Sequence, residues 1–271
     1  MKKKMILLSP LLFTLVVGAK AYYDTTTFKV EKVFIETTKL HVNDTLTILQ
    51  LSDMHNKVFD KNNMKLLAKI KELNPHIIVI TGDLIDRKTT DLTQMKHFIK
   101  ELSLIHSNIY YISGNHEWTN PLREELFAEL QKNDIQLLDN TNTSITTKQS
   151  TIQLAGIADS STNHDDISSA LNELDPNIYT ILLAHTPEEE FNASIDLILS
   201  GHTHGGQIRL PFIGALIAPG QDLFPTLDKG LFQLTEKQQL YIDSGLGTSV
   251  LPIRFMNQSQ LSFITIKGAK K

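Results

Sequence analysis

Two histidines in the segment 199–206 are the side chains with the clearest potential for chemistry. An apolar run, 195–199, leads into a turn in which glycines flank His202 and His204. Immediately after a strand, alternation points neighbouring side chains to opposite faces, so both imidazoles project the same way. Imidazole is the commonest metal ligand near neutral pH, and flanking glycines let the backbone come close to whatever the rings hold. The pair therefore predicts a metal site at the end of a strand.

Four other apolar strand candidates end in side chains of the same kind. These carboxylate, amide and imidazole groups are Asp53, His55, Asp83, Asn115, His116 and His185. One carboxylate at a strand end is usually a helix cap or a surface charge. Five such ends favour a shared site, because ligands of α/β sheets bind beyond the carboxyl ends of the strands. A ligand set without sulfur suits octahedral Mn²⁺, Fe or Zn²⁺ rather than a structural zinc.

The elements that must position these residues alternate along the first half of the chain. Apolar runs predict strands at 28–36, 46–51, 77–80 and 109–112, and helical spacing predicts helices at 64–73, 92–102 and 122–130. This order is typical of an α/β sheet with parallel strands. The second half is richer in strands, predicted within 135–157 and at 178–184, 195–199, 207–210, 230–234, 239–243 and 261–266. A helix is predicted near 166–174, and 214–229 is interpreted as an ordered loop.

The composition is that of an ordinary globular domain. The chain has 271 residues, of which 41% are hydrophobic and 21% are charged. A formal net charge of -4 offers no basis for expecting a nucleic-acid partner. The absence of cysteine excludes disulfides, thiolate metal sites and a cysteine nucleophile. No segment indicates an obligate protein partner.

The N-terminus has the layout of an export signal. Lys2, Lys3 and Lys4 precede an apolar segment, 5–19, and Ala19-Lys20-Ala21 fits a cleavage site. A retained anchor is the equal alternative, and a buried helix is the third. We therefore interpret 1–21 as a signal peptide or N-terminal membrane anchor and 28–268 as one folded domain. A retained anchor would hold the domain at the extracytoplasmic face of the cell membrane, and a cleaved signal peptide would leave it there or secreted.

The series of strand-end motifs resembles a known family. Asp53-x-His55, Gly82-Asp83-x-x-Asp86, Gly114-Asn115-His116-Glu117, His185 and Gly201-His202-Thr203-His204 resemble, in order, the five motifs of the calcineurin-like metallophosphoesterases. The likeness spans about 46–245. The sequences of segments 201–211, 245–249 and 251–255 are similar to those of the membrane-associated bacterial branch of the family. That branch acts on phosphodiester or pyrophosphate bonds, including that of UDP-2,3-diacylglucosamine. The segment 257–260 lacks the Pro-Glu pair typical there, which weakens transfer of the substrate.

This resemblance implies a fold and a role for each residue of the site. The fold is a four-layer α/β/β/α sandwich of two mixed sheets. Two divalent ions would share the carboxylate of Asp83 and generate a bridging hydroxide that attacks phosphorus. Asp53, His55 and His204 would hold the first ion, and Asn115, His185 and His202 the second. His116 would stabilise the transition state or protonate the leaving oxygen, Asp86 would fix the tautomer of His116, and Glu117 would orient the loop.

The expected activity is hydrolysis of a phosphodiester or pyrophosphate bond in a phosphorylated small molecule or lipid, with the membrane surface as a partner. A phosphomonoesterase acting on nucleotides or phosphoproteins is the alternative among enzymes. A non-catalytic metal- or phosphate-binding envelope protein is the alternative of another class. Two residues stay open: Arg209 is a substrate contact or a solvated strand residue, and Trp118 lines the site or belongs to the core.

Overall fold

The computed structural model describes residues 2–192, 194–249 and 251–270. Its helices are α1 (Lys2–Thr26), α2 (Met64–Leu73), α3 (Thr93–Ile105), α4 (Asn115–Trp118), α5 (Arg123–Lys132) and α6 (Ile167–Ala170), with 3-10 turns at 61–63, 160–162 and 204–206. The strands of the first half are β1 (Phe28–Thr37), β2 (Thr45–Leu51), β3 (Ile77–Thr81), β4 (Ile109–Ile112), β5 (Gln136–Leu137), β6 (Thr141–Thr146) and β7 (Thr151–Gly156). Those of the second half are β8 (Tyr179–Leu183), β9 (Leu197–Ser200), β10 (Arg209–Leu210), β11 (Gly214–Ala215), β12 (Gly230–Gln233), β13 (Gln239–Ile242) and β14 (Ser259–Gly268).

Two six-stranded sheets contain most of these strands. The first has the order β1-β14-β2-β3-β4-β5, and the second has the order β12-β13-β9-β8-β7-β6. The run β2-β3-β4-β5 is parallel, as predicted, whereas β14 pairs antiparallel with β2. In the second sheet β7, β8, β9 and β13 are parallel to their neighbours in that run, and β6 and β12 are antiparallel edges. Both sheets are therefore mixed.

Three apolar clusters separate the layers. One lies between the two sheets, where Val79 and Ile112 of the first sheet meet Leu183 and Leu199 of the second. A second joins the outer face of the first sheet to α2, α3 and α5, and a third covers the outer face of the second sheet beside α6. Because β3 is covered on both faces, all five of its residues are buried, which explains its continuous apolar sequence. The predicted four-layer α/β/β/α sandwich is confirmed.

The predicted helix near 166–174 is shorter than expected. Asp166 caps its start, because the carboxylate accepts the N–H of Ser169 at 3.0 Å. Helical structure nevertheless ends at Ala170, and Glu173 adopts a left-handed φ of 62° that no continuing helix allows. Within the interpreted loop 214–229, Gly214 and Ala215 form β11, which pairs with β10.

The N-terminal segment is helical over the whole of α1. Its side chains from Leu11 to Val16 are largely exposed, and its last turn joins the domain where Arg254 N donates to Thr25 Oγ1 at 2.8 Å. Within the described residues, no helix reaches both the length and the apolar character that a membrane crossing requires. Met1, the first residue of the predicted leader, lies outside the described residues.

Candidate metal centre

The polar residues of the site follow the carboxyl ends of strands from both sheets. Asp53 follows β2 and Asp83 follows β3, while His185 follows β8 and His202 follows β9. Most of these connections depart from ordinary backbone geometry: φ is 49° at Asp53, 53° at Asp83 and 67° at His202. A non-glycine residue in the left-handed region costs roughly 1 kcal/mol or more, so the surrounding structure must hold it there. Such strain is typical of functional sites.

The first ligand group consists of Asp53, His55 and His204. His55 Nε2 lies 3.1 Å from His204 Nε2, and His204 Nε2 lies 3.6 Å from Asp53 Oδ1. All three side chains are essentially buried. Donor atoms about 2.0–2.2 Å from a common ion stand roughly 3–4 Å from one another, so these separations match a shared cation. The structure therefore brings the three predicted ligands of the first ion together.

The second ligand group consists of Asn115, His185 and His202 around Asp83. His185 Nε2 lies 3.2 Å from Asn115 Oδ1, 3.2 Å from His202 Nδ1 and 3.3 Å from Asp83 Oδ2. The same Asp83 oxygen lies 3.6 Å from His55 Nε2 of the first group. One carboxylate oxygen thus stands between the two groups, where the sequence analysis expects a shared ligand.

The protonation of these groups tests whether the residues fit cations. His185 Nδ1 lies 2.8 Å from the carbonyl oxygen of Thr81 and donates to it, which directs Nε2 toward the amide oxygen of Asn115. Burial opposes a charge on His185, but the Asp83 carboxylate raises its pKa well above 6.5, so in the metal-free chain Nε2 carries a proton that a cation would replace. The Nε2 atoms of His55 and His204 lie 3.1 Å apart, and the Nδ1 atom of each ring is buried without a hydrogen-bond partner among the described residues. The donor set therefore fits two divalent ions, and it holds nitrogen and oxygen atoms only.

Burial sets the charge of the ligands. It lowers the pKa of His55 to about 4 and that of His202 to about 4, so both rings are neutral and free to bind metal at pH 7. Burial lowers the pKa of His204 well below its ordinary value, and the neighbouring His55 lowers it further. Burial opposes ionisation of Asp83, but the charge of His185 holds the pKa of this carboxyl well below 3.8.

The side chains of His202 and His204 do not project to the same side, as strand alternation would place them. The strand ends at Ser200, and φ is 67° at His202 and 51° at His204, so alternation does not extend through the turn. The ring of His202 contacts His185 in the second group, whereas the ring of His204 contacts His55 in the first. The turn thus connects the two groups, which the alternation argument alone did not predict.

His116 lies beside the shared carboxylate. Its Nε2 atom is 4.0 Å from Asp83 Oδ2, and its backbone N–H donates to Asp83 Oδ1 at 3.0 Å. The backbone N–H of Arg87 donates to His116 Nδ1 at 3.0 Å, which leaves the proton of the neutral ring on Nε2. Asp86 Oδ2 lies 3.4 Å from the same Nδ1. The main chain of Arg87 and the carboxylate of Asp86 thus both lie against Nδ1, the atom that the predicted bond to Asp86 involves.

Glu117 orients the loops of the site, as its motif position predicts. This fully buried carboxylate accepts backbone N–H groups from Asp83 at 2.9 Å, Ile85 at 3.1 Å and Gly114 at 2.8 Å. Burial and the nearby charge of Asp83 raise the pKa of Glu117 to about 8 in the metal-free chain. One side chain thus connects the turn after β3 to the turn after β4.

The structure also decides the two residues that the sequence left open. Arg209 donates to Asp228 at 2.6 Å and to the carbonyl oxygen of Gly205 at 3.0 Å, so it supports the loop after His204. Trp118 donates from Nε1 to Ser113 Oγ at 2.8 Å, and its ring stacks on His164 with 3.6 Å between centroids. Neither side chain lines the cavity described next.

A cavity of about 410 Å³ opens beside the metal groups. Asp83, Asn115, His116, His202 and His204 form one side of it, together with Arg87, which the sequence analysis missed. The guanidinium of Arg87 is exposed and lies 3.2 Å from His116 Nε2. Its position directly after Asp86 in a recognised motif was the signal available in the sequence. The rest of the lining is mostly apolar and includes Ile208, Leu216, Ile217, Ala218, Pro219 and Leu251.

Comparison with known proteins agrees with this geometry. A family model described as calcineurin-like phosphoesterase matches residues 46–206. The chain is 31% identical over 261 residues to an uncharacterised metallophosphoesterase of Aquifex aeolicus (strain VF5), covering 93% of this chain and 96% of that protein. It is 30% identical to the uncharacterised metallophosphoesterase YkuE of Bacillus subtilis (strain 168), covering 84% and 81%. Haemophilus influenzae NAD nucleotidase aligns over 74% of this chain and 45% of its own with a TM-score of 0.48 and 18% identity.

The chain belongs to the calcineurin-like phosphoesterase family. It is accordingly a phosphoesterase hydrolase with Asp and His groups that can hold divalent metal ions.

Proposed function

We propose that this protein hydrolyses a phosphodiester or pyrophosphate bond at a centre of two divalent ions. The observation that carries the proposal is the position of Asp83 Oδ2, 3.6 Å from His55 Nε2 and 3.3 Å from His185 Nε2. A single carboxylate oxygen between two sets of imidazoles is suited to two cations a short distance apart. When bound, such a pair lowers the pKa of water and neutralises charge on phosphoryl oxygens.

Each residue of the site has a role in this proposal. Asp53, His55 and His204 would hold one ion, Asn115, His185 and His202 the other, and Asp83 would contact both. His116 faces the cavity with a proton on Nε2, where it donates to a phosphoryl oxygen or to the leaving oxygen as the P–O bond breaks. Arg87 presents an exposed guanidinium beside that imidazole, a group that pairs well with phosphate.

The finer proposal concerns the substrate. The cavity is lined by apolar side chains as well as by the polar groups of the site, so it fits an ester whose organic part is apolar. A lipid or envelope-linked phosphodiester or pyrophosphate, such as a UDP-diacylglucosamine-like molecule, meets this requirement. The proposal also places the protein at the extracytoplasmic membrane surface, because the basic and apolar N-terminal sequence has the layout of an export signal or anchor.

A comparison of two chromogenic esters tests the reaction class. The full chain, stripped of metal and reloaded with Mn²⁺, is assayed on bis-(p-nitrophenyl) phosphate and on p-nitrophenyl phosphate. We expect faster turnover of the diester. A preference for the monoester would replace the proposal with a phosphomonoesterase, and turnover of neither ester by the metal-loaded protein would favour the non-catalytic binding protein. Hydrolysis of a UDP-diacylglucosamine-like pyrophosphate in mixed micelles then tests the lipid substrate.

A further inference from the structure

Arg254 is the largest fully buried side chain of the domain, and it is not a metal ligand. Its guanidinium donates to four backbone carbonyl oxygens: Ser244 at 2.6 Å, Gly247 at 2.8 Å, and His204 and Asn257 at 3.4 Å each. A buried cation is costly unless its donors are satisfied. Burial lowers the pKa of Arg254 only to about 10, so the group is charged at neutral pH. This charge is retained inside the protein and directed at main-chain oxygens.

Asn257 acts on the same carbonyl group. Its Nδ2 atom donates to the carbonyl oxygen of His204 at 2.7 Å, and its Oδ1 atom accepts from Lys229 Nζ at 2.8 Å. His204 has a left-handed φ of 51°, an unfavourable conformation for a residue with a side chain. Two donors on its carbonyl oxygen therefore stabilise the peptide in the orientation that directs the ring toward His55.

The ring of His204 lacks the usual means of orientation. A metal-binding histidine commonly donates its second ring N–H to a neighbour, as His185 does to the carbonyl oxygen of Thr81 at 2.8 Å. The Nδ1 atom of His204 is buried, and it has no hydrogen-bond partner within the described part of the chain. With no hydrogen bond at Nδ1, the orientation of this imidazole depends on its main chain, together with its stacking on His55 at 4.9 Å between ring centroids.

Arg254 also supports the other side of the first ligand group. It binds the carbonyl oxygens of Ser244 and Gly247, which begin and end a short loop. The N–H of Gly247 donates to the carbonyl oxygen of Asp53 at 2.7 Å. One guanidinium thus bonds directly to the main chain of His204 and supports the main chain of Asp53 through Gly247. None of its bonds reaches Asn115, His185 or His202.

We propose that Arg254 and Asn257 are positioning residues that set the metal affinity of the Asp53, His55 and His204 group, without touching metal or substrate. This inference rests on the proposed two-ion function. It predicts an asymmetric effect: weakening the network lowers the affinity for one ion and leaves the other ion bound. Removal of such supporting partners typically costs 10–100-fold in metal affinity.

The test is a Mn²⁺ titration of the full chain, followed by calorimetry and by electron paramagnetic resonance, for Asn257→Ala and Arg254→Lys. Gln238→Ala is the matched control, because Gln238 is equally buried and its amide also donates to two backbone carbonyls, those of Asn192 and Ile195. We expect Asn257→Ala to keep one Mn²⁺ at wild-type affinity and to bind the other about 10–100-fold more weakly. The signal of a coupled ion pair should then require excess Mn²⁺, and kcat should recover as that excess is supplied.

Three results would overturn the proposal: two ions bound to Asn257→Ala as in the wild type, equal losses at both ions, or an equal effect in Gln238→Ala. Arg254→Lys keeps the charge but offers fewer donors, so it should also weaken one ion selectively. A wild-type chain that binds two Mn²⁺ ions yet hydrolyses neither ester refutes the proposed function, while the titration still decides the positioning roles. The two failures are therefore distinguishable.

Discussion

Replacement of His116 by alanine separates a group that acts on substrate from a group that holds metal. Distances alone fit both roles, because His116 also lies within metal-binding distance of His55 and Asp83. The main-chain bond favours action on substrate: the N–H of Arg87 occupies Nδ1 at 3.0 Å, so the neutral ring carries its proton on Nε2 once the exposed guanidinium of Arg87, 3.2 Å from that atom, turns to a phosphate. A protonated nitrogen cannot bind a cation, whereas it can donate to a phosphoryl oxygen.

The magnitude follows from the protonation state. Burial lowers the pKa of His116 below its ordinary 6.5, so the ring is neutral at pH 7 and acts chiefly as a hydrogen-bond donor. Loss of one positioned donor to a transition-state oxygen costs about 10²–10³ in kcat, or about 2.7–4 kcal/mol. We therefore expect His116→Ala to lose about 10²–10³-fold in kcat and to change KM little.

The assay combines rate and composition. Wild type, His116→Ala and the control His97→Ala, which lies on α3 outside the site, are loaded with Mn²⁺, and turnover of bis-(p-nitrophenyl) phosphate and bound metal are measured together. Two ions should remain bound to His116→Ala. Loss of one ion would make His116 a ligand, and a rate within tenfold of the wild type would remove it from the chemistry.

Further predictions concern charge and metal. Asp83→Asn should fold and still accept the N–H of His116 at Oδ1, but turnover should almost vanish, because an amide N–H replaces the shared lone pair; wild-type activity would refute the sharing. Burial raises the pKa of Asp243 from 3.8 to about 6, so the folded state binds the proton more tightly and stability falls as pH rises between those values. Between pH 4 and pH 7 this group should cost the wild type about 2 kcal/mol of stability, and Asp243→Asn should remove that loss in urea unfolding of the metal-free chain; parallel wild-type and variant curves would contradict the assignment. Saturation with Mn²⁺ at about 100 times its Kd should stabilise the fold by about 2.7 kcal/mol per ion and raise Tm, whereas an unchanged Tm would argue against binding to the folded state.

The order of elements and the chemistry of the site are local properties, and the sequence determined both. Continuous apolar runs such as 77–80 predict buried strands because both faces of β3 are covered. Asp53, Asp83 and His185 each lie within three residues of the end of such a run, so they were identifiable without coordinates. The structure explains the glycine before Asp83, since φ is 87° at Gly82 and a Cβ would meet His185 Nδ1 at 2.6 Å.

Only the tertiary structure decided which ligands act together. The insertion of β14 between β1 and β2 and the packing of one sheet on the other depend on contacts between distant segments, which local pattern does not contain. The divergence of His202 and His204 depends on left-handed backbone angles after the strand ends. The support of His204 by Arg254 joins residues 50 positions apart in the sequence. The types of the ligands are thus encoded locally, whereas their partners are set by the meeting of two sheets.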